Sequence, residues 1–221
     1  MSLSPYQVFE KNLGRAETLV NIHKTLSGGG RGRPPEHTSD LLRSAVVTAV
    51  AAMDAYLHDI ISQKVVPTIR ARRKRKEGFP GKLVKLIKDE LSHEKMIDAM
   101  CNKRPLAIIG TTVKKNLDER AFQNPGRIEN GLRLLGIDDL WFKIGQELEV
   151  SKEDAKNYII TYTNRRNQIV HKGDLSNAKK TKNRLAPIKR QFARDAIESI
   201  GKFTEALNTI ISKEFSPRRN K

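Results

Sequence analysis

Within the hexapeptide Arg166-Asn167-Gln168-Ile169-Val170-His171, an always-charged guanidinium, a carboxamide and an imidazole that titrates near neutrality fall close together. Cleavage of RNA by transesterification uses such groups. A base takes the proton of the ribose 2′-hydroxyl, an acid protonates the leaving oxygen, and a cation meets the charge growing on phosphorus. That chemistry requires no metal. At 3.6 residues per turn Asn167 and His171 share a helix face, whereas Arg166 and His171 diverge by about 140°. For both to meet one phosphate, the arginine must reach around or the helix must loosen. One helix also supplies one histidine, so separate acid and base roles are more easily met by two copies of the helix in a symmetric dimer. The same residues have a plainer use, since His171 and Lys172 at a helix end favourably meet the negative end of its dipole.

The segment carrying these groups reads as a helix with its own start and stop. Ser151 and Asp154 have the spacing of a capping box, and Gly173 is placed to end the run. Tyr158, Ile159, Tyr162, Ile169 and Val170 can face a core. The helical period holds elsewhere. Ser4 and Pro5 open a helix with Phe9, Leu13, Ala16, Val20 and His23 on one face, and SGGGRGRPPEHT (residues 27–38) stops it as a basic loop. Ser39 or Asp40 caps a long apolar helix marked by Leu42, Val46, Ala49, Met53, Tyr56, Leu57 and Ile60. Asp54 sits beside that stripe. An amphipathic stretch follows over residues 82–100, with Leu83, Leu86, Ile87, Leu91 and Ile97. Residues 101–146 are less regular, and a short strand could hide around Ile108, Ile109 and Val113. The polar linker SNAKKTKN precedes a last amphipathic helix over residues 187–213. The sum is an all-α bundle of five to seven helices.

Of 221 residues, 42 are Lys or Arg and 25 are Asp or Glu, a formal net charge of +17. A polyanion, with nucleic acid as the default, is the implied partner. Six of these charges, Arg70, Arg72, Arg73, Lys74, Arg75 and Lys76, fall in the run RARRKRK; removing them still leaves +11, so the basic character is distributed. The run is either a phosphate-contacting patch or a solvated loop or helix end. No aromatic residue interleaves it to stack on bases. The single cysteine, Cys101, excludes a disulfide scaffold or a Cys-rich zinc site and is expected in the core. His23, His37, His58, His93 and His171 lack ligand spacing, and GGGRG lacks the preceding strand of a dinucleotide fingerprint, so no cofactor or metal is expected. No apolar run approaches the roughly 18–20 residues of a membrane span, and the N-terminus lacks the pattern of a signal peptide. The expectation is a soluble, cytoplasmic, reduced protein without a membrane partner.

The run RRNQIVHKGD resembles the signature of HEPN domains: an Arg followed by a polar residue, and a His after four to six intervening residues. Arg166, Asn167 and His171 fit the four-residue form. SAVVTAVAAMDAYLHDII resembles the first core helix of bacterial HEPN proteins, and AFQNPGRIENGLRLLGID resembles the RiboL-PSP-HEPN branch. The resemblance covers roughly residues 40–212 and implies an all-helical dimeric ribonuclease of the kind used in toxin–antitoxin, CRISPR and antiphage systems. An antitoxin or defence-system protein is an implied partner. By this resemblance Arg166 stabilises the scissile phosphate, His171 is general acid or base, and Asn167 orients the pair. Asp54 corresponds loosely to an acidic residue that many members place near the arginine. Arg165, Lys172 and the basic run would contact RNA. The branch paired with nucleotidyltransferase antitoxins carries Tyr two residues after the His; here that position is Gly173. The implied organisation is an N-terminal helix and loop (1–38), a HEPN-like domain (39–215) and a basic tail (216–221). Two other readings stand beside catalysis: a non-catalytic HEPN module binding RNA or a protein, and a helical DNA-binding regulator.

Overall fold

The computed structural model describes residues 2–27, 38–176 and 184–216. Most of the Gly/Pro-rich stretch, all but the first residue of SNAKKTKN and all but Ser216 of the basic tail lie outside the described residues. Among the described residues there are nine α-helices and no β-strand. They are α1 (Pro5–Leu26), α2 (Ser39–Arg75), α3 (Gly81–Glu90), α4 (His93–Cys101), α5 (Pro105–Asp118), α6 (Pro125–Arg133), α7 (Leu140–Leu148), α8 (Lys152–Lys172) and α9 (Arg190–Phe215). A single antiparallel bridge joins Leu175 to Leu185. The all-α class is as expected, and the count exceeds five to seven because caps subdivide the middle of the chain. Ser92 accepts from the Lys95 amide and starts α4, splitting the stretch expected as one helix over 82–100. Asn124 accepts from the Arg127 amide, with Pro125 at the first helical position, and so begins α6. The segment around Ile108 lies in α5, not in a strand.

The chain packs as two compact units, one of Met1–Met53 with Trp141–Lys221 and one of Asp54–Leu140. In the first, α9 is the central element, packed against both α1 and α8. It buries Ala193, Ala196, Ile200, Phe203 and Leu207, and α1 buries Phe9, Ala16, Val20 and His23. Trp141 stacks on Phe203 with ring centroids 5.8 Å apart. The Ala-rich face of α2 is consumed here, since Ala45, Ala49 and Ala52 are at most 2% exposed within the chain. α8 is lightly buried, with only Ala155, Ile159 and Thr163 in its core-facing set. Val170, expected in the core, is 47% exposed, because the last turn of α8 projects past the side chains that cover the earlier ones.

In the second unit α5 packs against α3 and α4, and α3 also packs against α6. Gly131 of α6 is a position where only glycine fits. A Cβ there would overlap the Phe122 ring and approach Ile61 Cδ1 to 2.9 Å. Cys101, expected in the core, is exposed, as are Ile97 and Met100 on the same short helix. Only Ala99 of α4 is buried, since a nine-residue helix closing on α5 hides a narrow stripe.

α2 runs for 37 residues and takes the basic run into its last turn. Pro67 lies inside it at an exposed position, so the Gln63 carbonyl left without an amide donor faces solvent. Four cations, Arg72, Arg73, Lys74 and Arg75, occupy its C-terminal turn, where the helix dipole favours positive charge. This helix also corrects the expectation that no segment is long and apolar enough to cross a bilayer. It contains an 18-residue window of mean hydropathy 1.3 that is sufficient by length and composition. Of that window 56% is buried inside the protein, as in the core helix of a globular chain.

Candidate functional site

The helix that carries the chemistry is fixed at both ends. Ser151 accepts from the Asp154 amide at 3.0 Å and its hydroxyl donates to the Asp154 carboxylate at 2.7 Å, satisfying one of the amides left open at a helix start. At the far end Gly173 takes a left-handed conformation, φ 59°. The Gly173 and Asp174 amides both donate to the Gln168 carbonyl, which closes the last turn just beyond His171. The α-helix persists through Lys172, so it does not loosen to bring Arg166 and His171 together.

Arg166 Nη1 donates to Asn167 Oδ1 at 3.0 Å, and Asn167 lies about 40° from His171 around the helix, against 140° for Arg166 itself. The guanidinium is thus bonded to a residue on the histidine side of the helix. Arg166 and Asn167 are half-buried and His171 and Lys172 are exposed. The result is a cationic, solvent-facing helix end with a titratable ring, a fixed arginine and an exposed Val170 beside them. Leu175 and Leu185, the bridged pair that follows, are exposed as well.

Beneath this end lies a buried ion cluster that helical periodicity alone does not reveal. Asp174 is 1% exposed, and its Oδ2 accepts from Arg43 Nε at 2.6 Å and from Arg165 Nη2 at 2.8 Å. Arg43 comes from the apolar stripe of α2 and is itself 6% exposed. Its Nη2 donates to the Ala186 carbonyl at 2.7 Å. Arg165 donates to the same carbonyl at 3.2 Å and to that of Pro187 at 3.3 Å. Burial pushes the Arg165 pKa down, an effect that Asp174 opposes and Arg43 adds to; the guanidinium stays charged at any physiological pH. One carboxylate therefore ties α2, the end of α8 and the approach to α9 together. The Ala186 amide donates back to the Asp174 carbonyl at 2.7 Å. A signal for this cluster is present in the chain. An arginine within an apolar stripe needs a buried anion, and an acidic residue directly after a helix-ending glycine is a candidate.

The remaining candidates are placed as follows. Arg165, considered for RNA contact, is engaged by Asp174 and two backbone carbonyls. Asp54 accepts a hydrogen bond from the Phe122 amide and lies 3.9 Å from His58 Nε2, so its carboxylate anchors the segment before α6. In the basic run, Arg72 donates to the Gly78 carbonyl at 3.0 Å and Arg75 pairs with Glu77 at 3.0 Å. Arg70, Arg73, Lys74 and Lys76 are exposed. Among the described residues no group of three or more His, Cys, Asp or Glu is placed to hold a metal ion.

A helical protein presenting Arg-Asn-x3-His at a capped helix end is defined by these features. The family model of RiboL-PSP-HEPN matches residues 10–213, and the chain belongs to that family. Membership associates it with RNA-related, RNase-like function. Searches of curated proteins and of solved structures returned no match.

Proposed function

We propose that the protein is a metal-independent endoribonuclease that acts as a symmetric dimer, with the C-terminal turns of two α8 helices forming one composite site. The observation that carries this reading is the Arg166–Asn167 contact at 3.0 Å, which bonds the phosphate-binding group to a residue on the side of the exposed His171, at a helix end held from below by Asp174. His171 of one copy takes the 2′-hydroxyl proton as O2′ attacks phosphorus. The protonated His171 of the other copy gives its proton to the departing 5′-oxygen. Arg166 meets the charge that develops on the non-bridging oxygens. The products are a 2′,3′-cyclic phosphate and a 5′-hydroxyl, and no water, oxidant or metal enters the balance.

Two features support the dimer. Another face suited to close packing of two copies, the Ala-rich one around Ala45, Ala49 and Ala52, is already buried within the chain. Val170, Leu175 and Leu185 leave apolar surface exposed around the site, and covering it in a second copy is favourable at about 25 cal/mol per Å². Restraint by an antitoxin or defence partner, a cytoplasmic location and a toxin or antiphage role are parts of the same proposal. Purified protein is expected to cut RNA in EDTA, with Arg166→Ala and His171→Ala each inactive. Cleavage by both variants at the wild-type rate would overturn the assignment.

A further inference from the structure

The second unit contains a cleft of about 460 Å³ between α3, the end of α5 and α6, within the size range of small-ligand sites. Four cations line it, Lys82 and Lys85 from α3, Arg120 after α5 and Arg127 from α6. All four are exposed, and none makes an ion pair among the described residues. The Arg127 guanidinium makes a long contact to the Ala121 carbonyl, 3.4 Å. Lys82 and Lys85 lie one turn apart on the same face of α3, roughly 4.5 Å along its axis. Asp89 and Glu119 share the rim, so the lining carries a net charge of +2, and Asn130 adds a carboxamide that both donates and accepts.

The floor is apolar and built to hold its shape. Leu86, Leu117 and Phe122 line it, and Phe122 is fixed from three directions. Its amide donates to Asp54, its ring meets the edge of His58 at 4.9 Å between centroids, and Gly131 lets α6 pack directly on that ring. Asp54, sought as a catalytic acid, is thus the anchor of a cleft wall. Elsewhere in the protein several exposed arginines and lysines are answered by nearby carboxylates, as in Arg75–Glu77, Lys202–Glu198 and Lys213–Glu147. Here they are left open around a concave surface with an apolar base.

We propose that this cleft is an RNA-binding site, in which Lys82, Lys85, Arg120 and Arg127 hold successive phosphates of a single strand while a nucleobase rests against the apolar floor. Unpaired cations at a concave rim favour a polyanion, and the carboxamide and carboxylates supply partners for base edges and the 2′-hydroxyl. The inference rests on RNA being the ligand, as in the proposed function, but not on cleavage.

The test uses the full-length protein and a fluorescent single-stranded oligoribonucleotide with 2′-O-methyl sugars, which cannot be cleaved through the 2′-oxygen. Anisotropy is followed as a function of salt for three proteins: wild type; a cleft variant carrying Lys82→Gln, Lys85→Gln, Arg120→Gln and Arg127→Gln; and a charge-matched variant carrying Lys11→Gln, Arg15→Gln, Lys24→Gln and Arg194→Gln. The cleft variant is expected to bind at least about tenfold more weakly at 0.15 M salt. Its log–log salt slope is expected to fall by about 0.7 per lost phosphate contact, roughly 2 to 3 in all. The charge-matched variant is expected to stay within about threefold of wild type. Equal weakening in both variants would overturn the cleft as a site, as would saturable binding of 5′-AMP at the cleft with RNA binding unaffected there. If wild type binds no RNA at all, the proposed function fails with it; if wild type binds but does not cleave natural RNA, only the catalytic reading fails.

Discussion

Removing the Asp174 carboxylate should cost more than removing either residue assigned to chemistry. In Asp174→Ala, Arg43 and Arg165 lose the anion they share at 2.6 and 2.8 Å. Arg43, with its side chain 7% exposed, keeps the exposed Asp40 carboxylate at 3.2 Å but loses the shorter, buried contact. Breaking a buried pair by deleting one partner costs about 3–5 kcal/mol, because the charge left behind stays desolvated. Arg165, whose side chain is 15% exposed, escapes part of that cost by swinging outward, so the lower half of the range is expected. In a domain of this size that lowers Tm by about 6–16 °C. Equilibrium unfolding in urea measures it as a lower midpoint with unchanged m. Arg43→Ala should cost a similar amount, and the double variant clearly less than the sum, since each substitution removes what the other would lose. Amide exchange in the last turn of α8 should quicken in Asp174→Ala, while the turn capped by Ser151 keeps its protection. An Asp174→Ala protein within about 1 kcal/mol of wild type, with the α8 end still protected, would refute the reasoning.

Three further outcomes follow from named contacts. Gly131→Ala should destabilise by about 1–3 kcal/mol in urea unfolding, because the added Cβ overlaps Phe122 and Ile61; a neutral effect would mean that this part of α6 can shift. His171→Ala should change stability by about 0.5 kcal/mol or less, as an exposed residue at a helix end, which separates any lost activity from lost folding. Burial, and secondarily the Arg190 guanidinium, hold the His23 pKa below its ordinary value of 6.5, and Arg190 Nε donates to its Nδ1 at 3.3 Å. The unfolded chain therefore binds a proton that the folded chain does not. Stability should fall as pH drops through 6.5 toward the depressed folded value, and His23→Gln should flatten that fall; an unchanged pH profile would contradict the assignment.

Much of the fold is legible in the chain because its strongest signals are local. The α2 stripe from Leu42 to Ile60, the Ser4 and Ser151 caps and the Gly173 stop are each set by a few neighbouring residues. What escapes is set by contacts distant in sequence. α4 exposes Ile97 and Cys101 because its packing on α5 is narrow, and periodicity cannot reveal how much of a face a neighbour covers. The basic run reads as a phosphate-contacting patch or as a solvated loop or helix end, and the structure places it at a helix end, because α2 continues through Pro67 to Arg75. At the site, Arg166, Asn167 and His171 were legible from residue type and spacing. Arg43 and Asp174 were not, being 131 positions apart and joined only when α2 and the end of α8 meet. Asp54 was legible as an unusual acid beside a core stripe, but its partners, Phe122 and His58, come from folding of the second unit.

The central claim is metal-independent cleavage by paired α8 ends, and mapping RNA termini after incubation in EDTA tests it most directly. Wild type should leave 2′,3′-cyclic phosphate and 5′-hydroxyl ends. Arg166→Ala and His171→Ala should each leave none when present alone. Mixing these two variants should restore no activity, because a mixed dimer holds a single His171 and the step needs one from each copy. Products bearing 3′-hydroxyl and 5′-phosphate ends, or wild-type cleavage by His171→Ala, would contradict the account.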